Sequence, residues 1–221
     1  MQKIDFIYSN DLIDYNFAIN FMQNKVEGII NNQENGAIWL LEHNDIYTLG
    51  KNSIDSDIKT KINIPYIDTN RGGRITYHGP GQKIIYVMLD IKKLYDDKPN
   101  LRLFIEMLQD WIILILQQKN IISYKNIDQV GVWIKGQNVN KKIASMGIRI
   151  KRWISYHGLA LNINPNMKYF TNINPCGIHN CNMTSMFLET NLNIKNNEIN
   201  NIIKNSFFNI FNLNLDKEYV I

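Results

Sequence analysis

Hydrophobic residues recur at helical spacing in three stretches of the chain. The first stretch follows Asp14, a residue type that caps helix N-termini, and the others lie near the middle and near the C-terminus. The apolar positions are Tyr15, Ala18, Ile19, Met22, Val26 and Ile29, then Leu101, Phe104, Ile105, Leu108, Ile112 and Ile115, and finally Ile199, Ile202, Ile203, Phe207, Ile210 and Phe211. We therefore predict three long helices, each with one apolar face.

Short apolar runs bounded by turn residues predict strands between these helices. They cover residues 37–41, 46–50, 64–67, 84–89, 130–134, 142–149 and 153–163, whereas residues 51–63 are polar and Lys-rich and predict a loop. Helices and strands alternate irregularly, and the later strands follow one another as hairpins. This order favours an α+β fold with a mixed central sheet flanked by helices. Because no repeat or Pro- or Ser-rich linker interrupts it, we predict a single domain over residues 1–221.

Composition limits the possible functions. A chain of 221 residues that is 45% hydrophobic can bury a core, which excludes a disordered protein. The formal charge of +4 is too small to indicate a nucleic-acid partner, but it suits an acidic protein partner. Two cysteines cannot form a disulfide framework, and the longest apolar run, residues 111–116, is far below the ~20 residues of a membrane span. We expect a cytoplasmic protein without a membrane partner.

The first segment with candidate chemistry runs from Arg71 to Gln82, where four of the 12 glycines fall. Glycine allows tight turns and a close approach of the backbone to a ligand, and Arg71 and His78 can orient a carbonyl or a phosphate-like group. The segment also fits a plain hairpin with a Gly-Pro-Gly turn. It is not a phosphate loop, because the Gly-Lys-Ser/Thr ending is missing.

The second segment, residues 175–185, holds both cysteines. A nucleophilic Cys176 between Pro175 and Gly177 can have an exposed thiol with backbone N–H groups near it. A small buried hydrophobic Cys is the simpler alternative. A zinc site would use Cys176, His179 and Cys181, but this spacing is loose and no second ligand pair is present, so we expect no metal.

The third segment runs from Lys142 to Asn162 and contains two short strand patterns. Side chains alternate along a strand, so Lys142, Ala144 and Met146 share one side, which can line a pocket. The alternative is a solvent-exposed edge lysine. His157 precedes Gly158 and fits a structural histidine better than a metal ligand.

Together these segments resemble the octanoyltransferase family that makes lipoyl groups, the lipoate–protein ligase B proteins. The matching stretches are Leu41–His43 with Tyr47–Gly50, Arg71–Gln82, Gly131–Trp133, Lys142–Asn162, and Pro175–Ile178 with Thr184–Ser185. They occur in the family's order over roughly residues 15–190, and the glycine segment is the most specific of them. Cys181 is a departure, since it is not part of the family motif, and it offers Cys176 a disulfide partner under oxidation.

The resemblance implies a biotin/lipoate ligase-like fold and an acyltransferase that needs no cofactor. Such an enzyme moves an octanoyl group from octanoyl-acyl carrier protein to a lysine of lipoyl domains, on E2 subunits of 2-oxoacid dehydrogenases and on the glycine cleavage H protein. By the same resemblance, Cys176 carries the acyl group as a thioester and Lys142 is its catalytic partner. The substrate-binding residues implied are Arg71, Gly72, Gly73, Arg74, Ile75, Thr76, Tyr77, His78, Ser145, Met146, Gly147, Gly158, Leu159 and Ala160.

The chemistry of the pair agrees with those roles. An ordinary thiol has a pKa of ~8.5, and a neighbouring ammonium group lowers it and so raises the thiolate fraction at neutral pH. Small residues such as Gly72, Gly73, Ala144, Gly147, Gly158 and Ala160 would leave room for an eight-carbon chain. Exchange between two thioesters is nearly balanced and the final amide is more stable, so ATP is unnecessary.

Two other functions remain open at this stage. An ATP-dependent lipoate or biotin protein ligase shares the fold and a related glycine-rich motif, but it does not need a nucleophilic cysteine. A non-catalytic module could bind carrier protein or lipoyl domains. The presence of both Lys142 and Cys176 favours the transferase over these two alternatives.

Overall fold

Two β-sheets organise the chain. The structure is a computed structural model that describes residues 2–61, 63–126, 128–175 and 181–221. The strands in these ranges are β1 (Lys3–Ile13), β2 (Gly36–His43), β3 (Ile46–Leu49), β4 (Tyr66–Asp68), β5 (Thr76–His78), β6 (Gln82–Met88), β7 (Tyr124–Lys125), β8 (Val132–Ile134), β9 (Lys141–Lys151), β10 (Ile154–Asn162), β11 (Asn182–Met183) and β12 (Asn214–Val220).

The large sheet is mixed, as the sequence predicted. Its strands lie in the order β12-β1-β2-β6-β10-β9-β8-β7, and β11 pairs with β9 beside this path. The pairs β12–β1, β1–β2 and β9–β11 are parallel, whereas the strands from β2 through β6, β10, β9 and β8 to β7 pair antiparallel. The small sheet has the order β4-β3-β5. This architecture is α+β.

Helices cover both faces of the large sheet. The described helices are α1 (Tyr15–Ile30), α2 (Ile91–Leu94), α3 (Leu101–Gln117), α4 (Lys168–Thr171), α5 (Met186–Thr190) and α6 (Asn196–Ile210). On one face, α3 and α6 bury residues such as Trp111 and Phe207 against the sheet. On the other, α1 packs Met22 and Val26 against Trp39. None of the described helices has the length and apolar character needed to cross a membrane.

The three predicted long helices and most predicted strands are confirmed, with bounds that differ by a few residues. Asp14 caps α1 as expected, because its carboxylate accepts a hydrogen bond of 3.0 Å from the backbone N–H of Phe17. The loop predicted before β4 contains one short 3₁₀ turn, Asp55–Asp57. The strand expected at residues 64–67 begins two residues later, at Tyr66.

The sequence pattern missed β1 and β12, which pair with each other in parallel. Strand β12 is largely exposed and polar, so it has no apolar alternation to read. Its backbone N–H and C=O groups form hydrogen bonds with β1, and the sequence of one strand cannot reveal such pairing. The short strands β7 and β11 were missed for the same reason, since pairing alone defines them.

Candidate active site

A small cavity lies between the large sheet, the glycine-rich segment and the start of α1. The described residues that line it are Tyr15, Arg71, Gly73, Arg74, Ile75, Thr76, His78, Ile84, Tyr86, Ser145, Met146, Gly147, His157, Gly158, Leu159 and Ala160. The cavity is therefore built from segments that are far apart in the chain.

Three adjacent strands form the floor of the cavity. In the sheet register, Ala160 of β10 lies between Ile84 of β6 and Ser145 of β9, and the next row of the same face places Gly158 between Tyr86 and Gly147. Residues two apart on a strand face the same way, so both rows contribute to one surface. Small residues in the middle of each row leave the floor open.

Gly158 is required by the close approach of its neighbouring strand. A Cβ atom at this position would lie 1.9 Å from the carbonyl oxygen of Ile85 and 2.9 Å from its carbonyl carbon. No side chain fits at that distance without separating β10 from β6. The preceding residue, His157, has a left-handed backbone with φ of 58°, and strain of this kind is concentrated at functional sites.

Arg71 connects the glycine-rich segment to the small sheet. Its buried guanidinium donates from Nε to Thr48 Oγ1 at 3.0 Å, from Nη2 to the Thr48 carbonyl oxygen at 2.5 Å, and from Nη1 to the Gly72 carbonyl oxygen at 3.0 Å. These bonds hold the segment against β3. They also place a permanent positive charge in the cavity wall.

Arg74 extends the wall towards the second motif. Its guanidinium forms an ion pair with the buried carboxylate of Asp57, with Nη2–Oδ1 and Nε–Oδ2 distances of 2.6 and 2.9 Å. The backbone carbonyl of Asp57 accepts a hydrogen bond of 2.7 Å from the N–H of Asn174. Asn174 directly precedes Pro175, so this ion pair joins the glycine-rich segment to the residue before the Pro-Cys-Gly-Ile motif.

Three histidines and two tyrosines surround the inner part of the cavity. The ring of Tyr15 lies 5.0 Å from that of His43 and 6.1 Å from that of His78, and His43 Nε2 is 2.7 Å from the Tyr86 hydroxyl oxygen. Rings pack closely here because α1 begins directly above β2 and β6. The polar ring atoms bond to neighbouring protein groups, as in the 2.7 Å contact between His78 Nδ1 and Gln82 Oε1.

Burial keeps these rings uncharged at neutral pH. It lowers the pKa of His43 to about 4, and burial followed by the charges of Arg71 and Arg149 lowers the pKa of His157 to about 4. The pKa of His78 is also far below its usual value, through burial and then the neighbouring His43 and Arg71. Burial raises the pKa of Tyr15 to about 12. The cavity therefore combines neutral rings with the guanidinium groups of Arg71 and Arg74, of which the second is paired with Asp57. The neutral rings suit an uncharged, largely apolar part of a ligand.

Lys142 lies on β9 beyond the cavity floor, at the edge that pairs with β8. It is buried, with 1% of its surface exposed, and its Nζ donates to the carbonyl oxygen of Val130 at 2.8 Å. The same Nζ lies 5.3 Å from the centre of the Trp133 ring. Lys142 is three residues from Ser145, about 10 Å along the strand. The alternative of a solvent-exposed edge lysine is wrong.

Cys176 lies outside the described residues, as do the other members of the segment 176–180. The described residues on either side are anchored to different parts of the site. Before the segment, Asn174 bonds to the carbonyl groups of Ser56 and Asp57 at 3.1 and 2.7 Å. After it, β11 pairs in parallel with β9, with Met183 opposite Lys142, and the N–H of Thr184 donates to the Lys142 carbonyl oxygen at 2.9 Å.

The structure brings most of the predicted substrate-binding residues to one cavity. All of them line it except Gly72 and Tyr77. Tyr77 points to the other side of the small sheet, where its hydroxyl donates to Asp45 Oδ1 at 2.6 Å and its ring packs on Phe170. Ala144, expected to make room for the acyl chain, packs instead in the core on the α3 side of the sheet. Substrate binding by the lining residues stays a prediction.

Sequence reasoning missed four of the lining residues: Tyr15, Ile84, Tyr86 and His157. Ile84 and Tyr86 were assigned only to a buried strand, and Tyr15 only to the apolar face of α1. The sequence shows that Ile84 and Tyr86 alternate along one strand, but it does not show which strand pairs with it. His157 was interpreted as structural, and its side chain does lie within a ring cluster, 6.4 Å from Tyr86.

Solved structures share this fold across the whole chain. An archaeal bipartite lipoate protein ligase from Thermoplasma acidophilum superposes with a TM-score of 0.74 at 10% identity, covering 100% of this chain and 88% of that one. A lipoate-protein ligase A bound with ATP gives 0.73 at 10% identity, covering 100% and 90%. At such low identity the likeness shows the fold alone, and it confirms the predicted biotin/lipoate ligase-like class.

Sequence comparison gives a finer result. The family model described as the lipoyl protein ligase A/B catalytic domain matches residues 14–208. The octanoyltransferase of Wolbachia pipientis wMel is 42% identical over 94% of this chain and 99% of its own length. The chain therefore belongs to the octanoyltransferase family, within the lipoyl protein ligase A/B class. It is an acyltransferase, as the resemblance in the sequence implied.

Proposed function

We propose that this chain is a single catalytic domain, residues 1–221, that transfers an octanoyl group from octanoyl-acyl carrier protein to a lysine of lipoyl domains in lipoate biosynthesis. Cys176 carries the acyl group as a thioester, and Lys142 is the proton donor and acceptor beside it. The acceptors are E2 subunits of 2-oxoacid dehydrogenases and the glycine cleavage H protein. The reaction takes place in the cytoplasm and needs no cofactor.

The pairing of β11 with β9 is the observation that carries this proposal. It brings the chain that follows residues 176–180 directly beside Lys142, through the Met183–Lys142 register and the bond from the Thr184 N–H. The buried ammonium of Lys142 would lower the pKa of a thiol beside it, because burial reduces screening by water. Cys176 is the cysteine of the Pro-Cys-Gly-Ile motif, which supports assigning it as the nucleophile.

Two acyl transfers make up the proposed reaction. The Cys176 thiolate attacks the thioester carbonyl carbon of the donor, the new C–S bond forms, and the thiolate of the carrier protein leaves and takes a proton from Lys142. The lysine amine of the lipoyl domain then attacks the enzyme thioester. Lys142 accepts the proton of that amine, the C–S bond breaks, and Cys176 leaves as a thiolate, which restores the starting state.

The cavity suits the acyl chain in its polarity and in the direction of its floor. An extended eight-carbon chain is about 10 Å long, from C–C bonds of ~1.5 Å. The floor rows, from Ile84–Ala160–Ser145 to Tyr86–Gly158–Gly147, lead away from Lys142 along β9. The neutral rings at the inner end give the chain an apolar environment, and the apolar surface that it buries supplies binding free energy.

The ATP-dependent ligase is the weaker alternative. The solved ligases share only about a tenth of their residues with this chain, whereas the octanoyltransferases share about 40% over nearly its full length. The Thermoplasma acidophilum ligase has an E2 lipoyl domain as its partner, and the lipoate-protein ligase A binds ATP. The first of these supports a lipoyl-domain partner for this chain. The sequence identity favours the transferase.

Intact-mass analysis after mixing the protein with octanoyl-acyl carrier protein tests the proposal. We expect one octanoyl group on the wild-type protein, none on Cys176→Ala, and transfer of that group to a lipoyl domain added afterwards. Lys142→Met should acylate at least about 10²-fold more slowly, because it loses the proton donor and acceptor.

Two matched variants serve as controls. Cys181→Ala removes the other cysteine, and Lys141→Met removes the neighbouring lysine, which pairs with Glu189 at 2.8 Å. Both should keep the acyl adduct at near wild-type rates. An acyl adduct on Cys176→Ala would refute the assignment of Cys176 as the nucleophile. Attachment of free octanoate that requires ATP would favour the ligase.

A further inference from the structure

The surroundings of Lys142 contain a second residue with a role in the reaction. Trp133 of β8 lies opposite Lys142 of β9 in the sheet register, and the Lys142 Nζ is 5.3 Å from the centre of its ring. Both side chains are nearly inaccessible, with 3% and 1% of their surfaces exposed. A cation over the face of tryptophan is attracted most strongly when both groups are removed from water.

The Trp133 ring is itself held in one orientation. Its Nε1 donates to the carbonyl oxygen of Gln129 at 3.0 Å. This bond fixes the ring from the loop that precedes β8. The same loop gives Lys142 its carbonyl acceptor at Val130, so the ring and the acceptor are positioned together.

Gly131 allows this loop to run so close to the lysine. Its φ is +137°, and a Cβ atom there would lie 2.4 Å from Cε and 3.0 Å from Nζ of Lys142. The Gly131 carbonyl oxygen accepts a hydrogen bond of 2.8 Å from the side chain of Gln109. Gln109 is buried on α3, where the other buried residues are hydrophobic, so the helix braces the loop through this one amide.

We propose that Trp133 is a positioning residue that holds the Lys142 ammonium group in a fixed place through its ring. The inference rests on the proposed roles of Lys142 and Cys176 and extends them to a residue that has neither role. The Lys142 Nζ contacts a carbonyl oxygen and an aromatic face, and both of these groups attract an ammonium group. A held ammonium group stabilises the Cys176 thiolate more than a mobile one does.

Other charges near this site are mostly paired with each other. The charged side chains on the adjoining elements include Lys141, Glu189, Asp110, Lys125 and Asp128. Of these, Lys141 pairs with Glu189 at 2.8 Å and Lys125 pairs with Asp110 at 2.7 Å.

Fluorination of the Trp133 indole tests this role without changing its shape. Mono-, di- and trifluorinated tryptophan at position 133 weakens the π face stepwise and keeps the packing. The rate of Cys176 alkylation by iodoacetamide is measured from pH 5 to 9 by intact mass, in a Cys181→Ser background that leaves one cysteine. We expect the midpoint of the profile to rise with each fluorine, by about one pH unit in total.

Three comparisons make the result decisive. Trp133→Phe, which keeps an aromatic face, should raise the midpoint less than Trp133→Leu, and the same fluorination at Trp153 should leave it unchanged. An unchanged midpoint across the fluorine series at position 133 would refute the positioning role, since a merely structural ring alters stability alone. Lys142→Met separates the proposed role of Lys142 from that of Trp133. If this variant leaves the midpoint unchanged, the proposed effect of Lys142 on Cys176 is wrong, independently of the result for Trp133.

Discussion

At the scale of the residue, the most restrictive position in the site is Gly158. We expect Gly158→Ala to lower the free energy of unfolding by more than about 3 kcal/mol, because the new methyl group would lie 1.9 Å from the Ile85 carbonyl oxygen and force β10 away from β6. Urea denaturation measures this change. Ala160→Gly, two residues along the same strand, is the control and should cost only about 1 kcal/mol. Equal midpoints for Gly158→Ala and the wild type would contradict the close approach.

At the scale of the element, pairing of β6, β10 and β9 sets the width of the cavity. Ala160 occupies the middle of the row nearest to Lys142, between Ile84 and Ser145. We expect Ala160→Leu to fill this part of the floor and reduce octanoyl transfer about tenfold or more, while transfer of a butyryl group changes little. Initial rates with the two acyl-carrier-protein donors measure the ratio. An equal loss for both donors would indicate that the variant disturbs the fold and not the width of the slot.

At the scale of the whole molecule, buried neutral histidines make stability depend on pH. His43 and His157 have folded-state pKa values of about 4, below the usual ~6.5, so the unfolded chain binds more protons between these values. Their contribution is complete above pH 6.5 and is lost as the pH falls towards 4. From pH 7.5 to 5.0 we expect a loss of roughly 2 kcal/mol for each histidine.

Urea denaturation across this pH range measures that dependence. His43→Gln can keep hydrogen bonds to both neighbours. Its free energy of unfolding should fall less steeply than that of the wild type as the pH drops from 6.5 to 5.0. A flat profile for the wild type in this window would mean that the histidines titrate normally in the folded protein. Losses that begin only below pH 4.5 would instead come from carboxylates such as Glu218, whose pKa is lowered mainly by its hydrogen bond from Lys204.

Local patterns were sufficient for the helices and for the motifs. In α1 the apolar stripe and the cap lie within one stretch of chain, so Asp14 could be predicted as the residue that accepts a hydrogen bond from the first turn. The apolar stripe of α3 was also readable, but its cap, Asn100, was found only in the structure. The glycine-rich segment and Lys142 were found because their residue types are uncommon in that order. The order of motifs also gave the family, and with it the predicted substrate-binding residues, most of which line one cavity.

What the sequence by itself determined was therefore the α+β class, the long helices, the family and the segments that are predicted to carry its chemistry. Only the tertiary structure decided that β1 and β12 are strands, that Tyr15, Ile84 and Tyr86 join the cavity, and that Trp133 lies beside Lys142. The physical reason is register. Hydrogen bonds between distant strands select which residues become neighbours across a sheet, and no local preference encodes that choice.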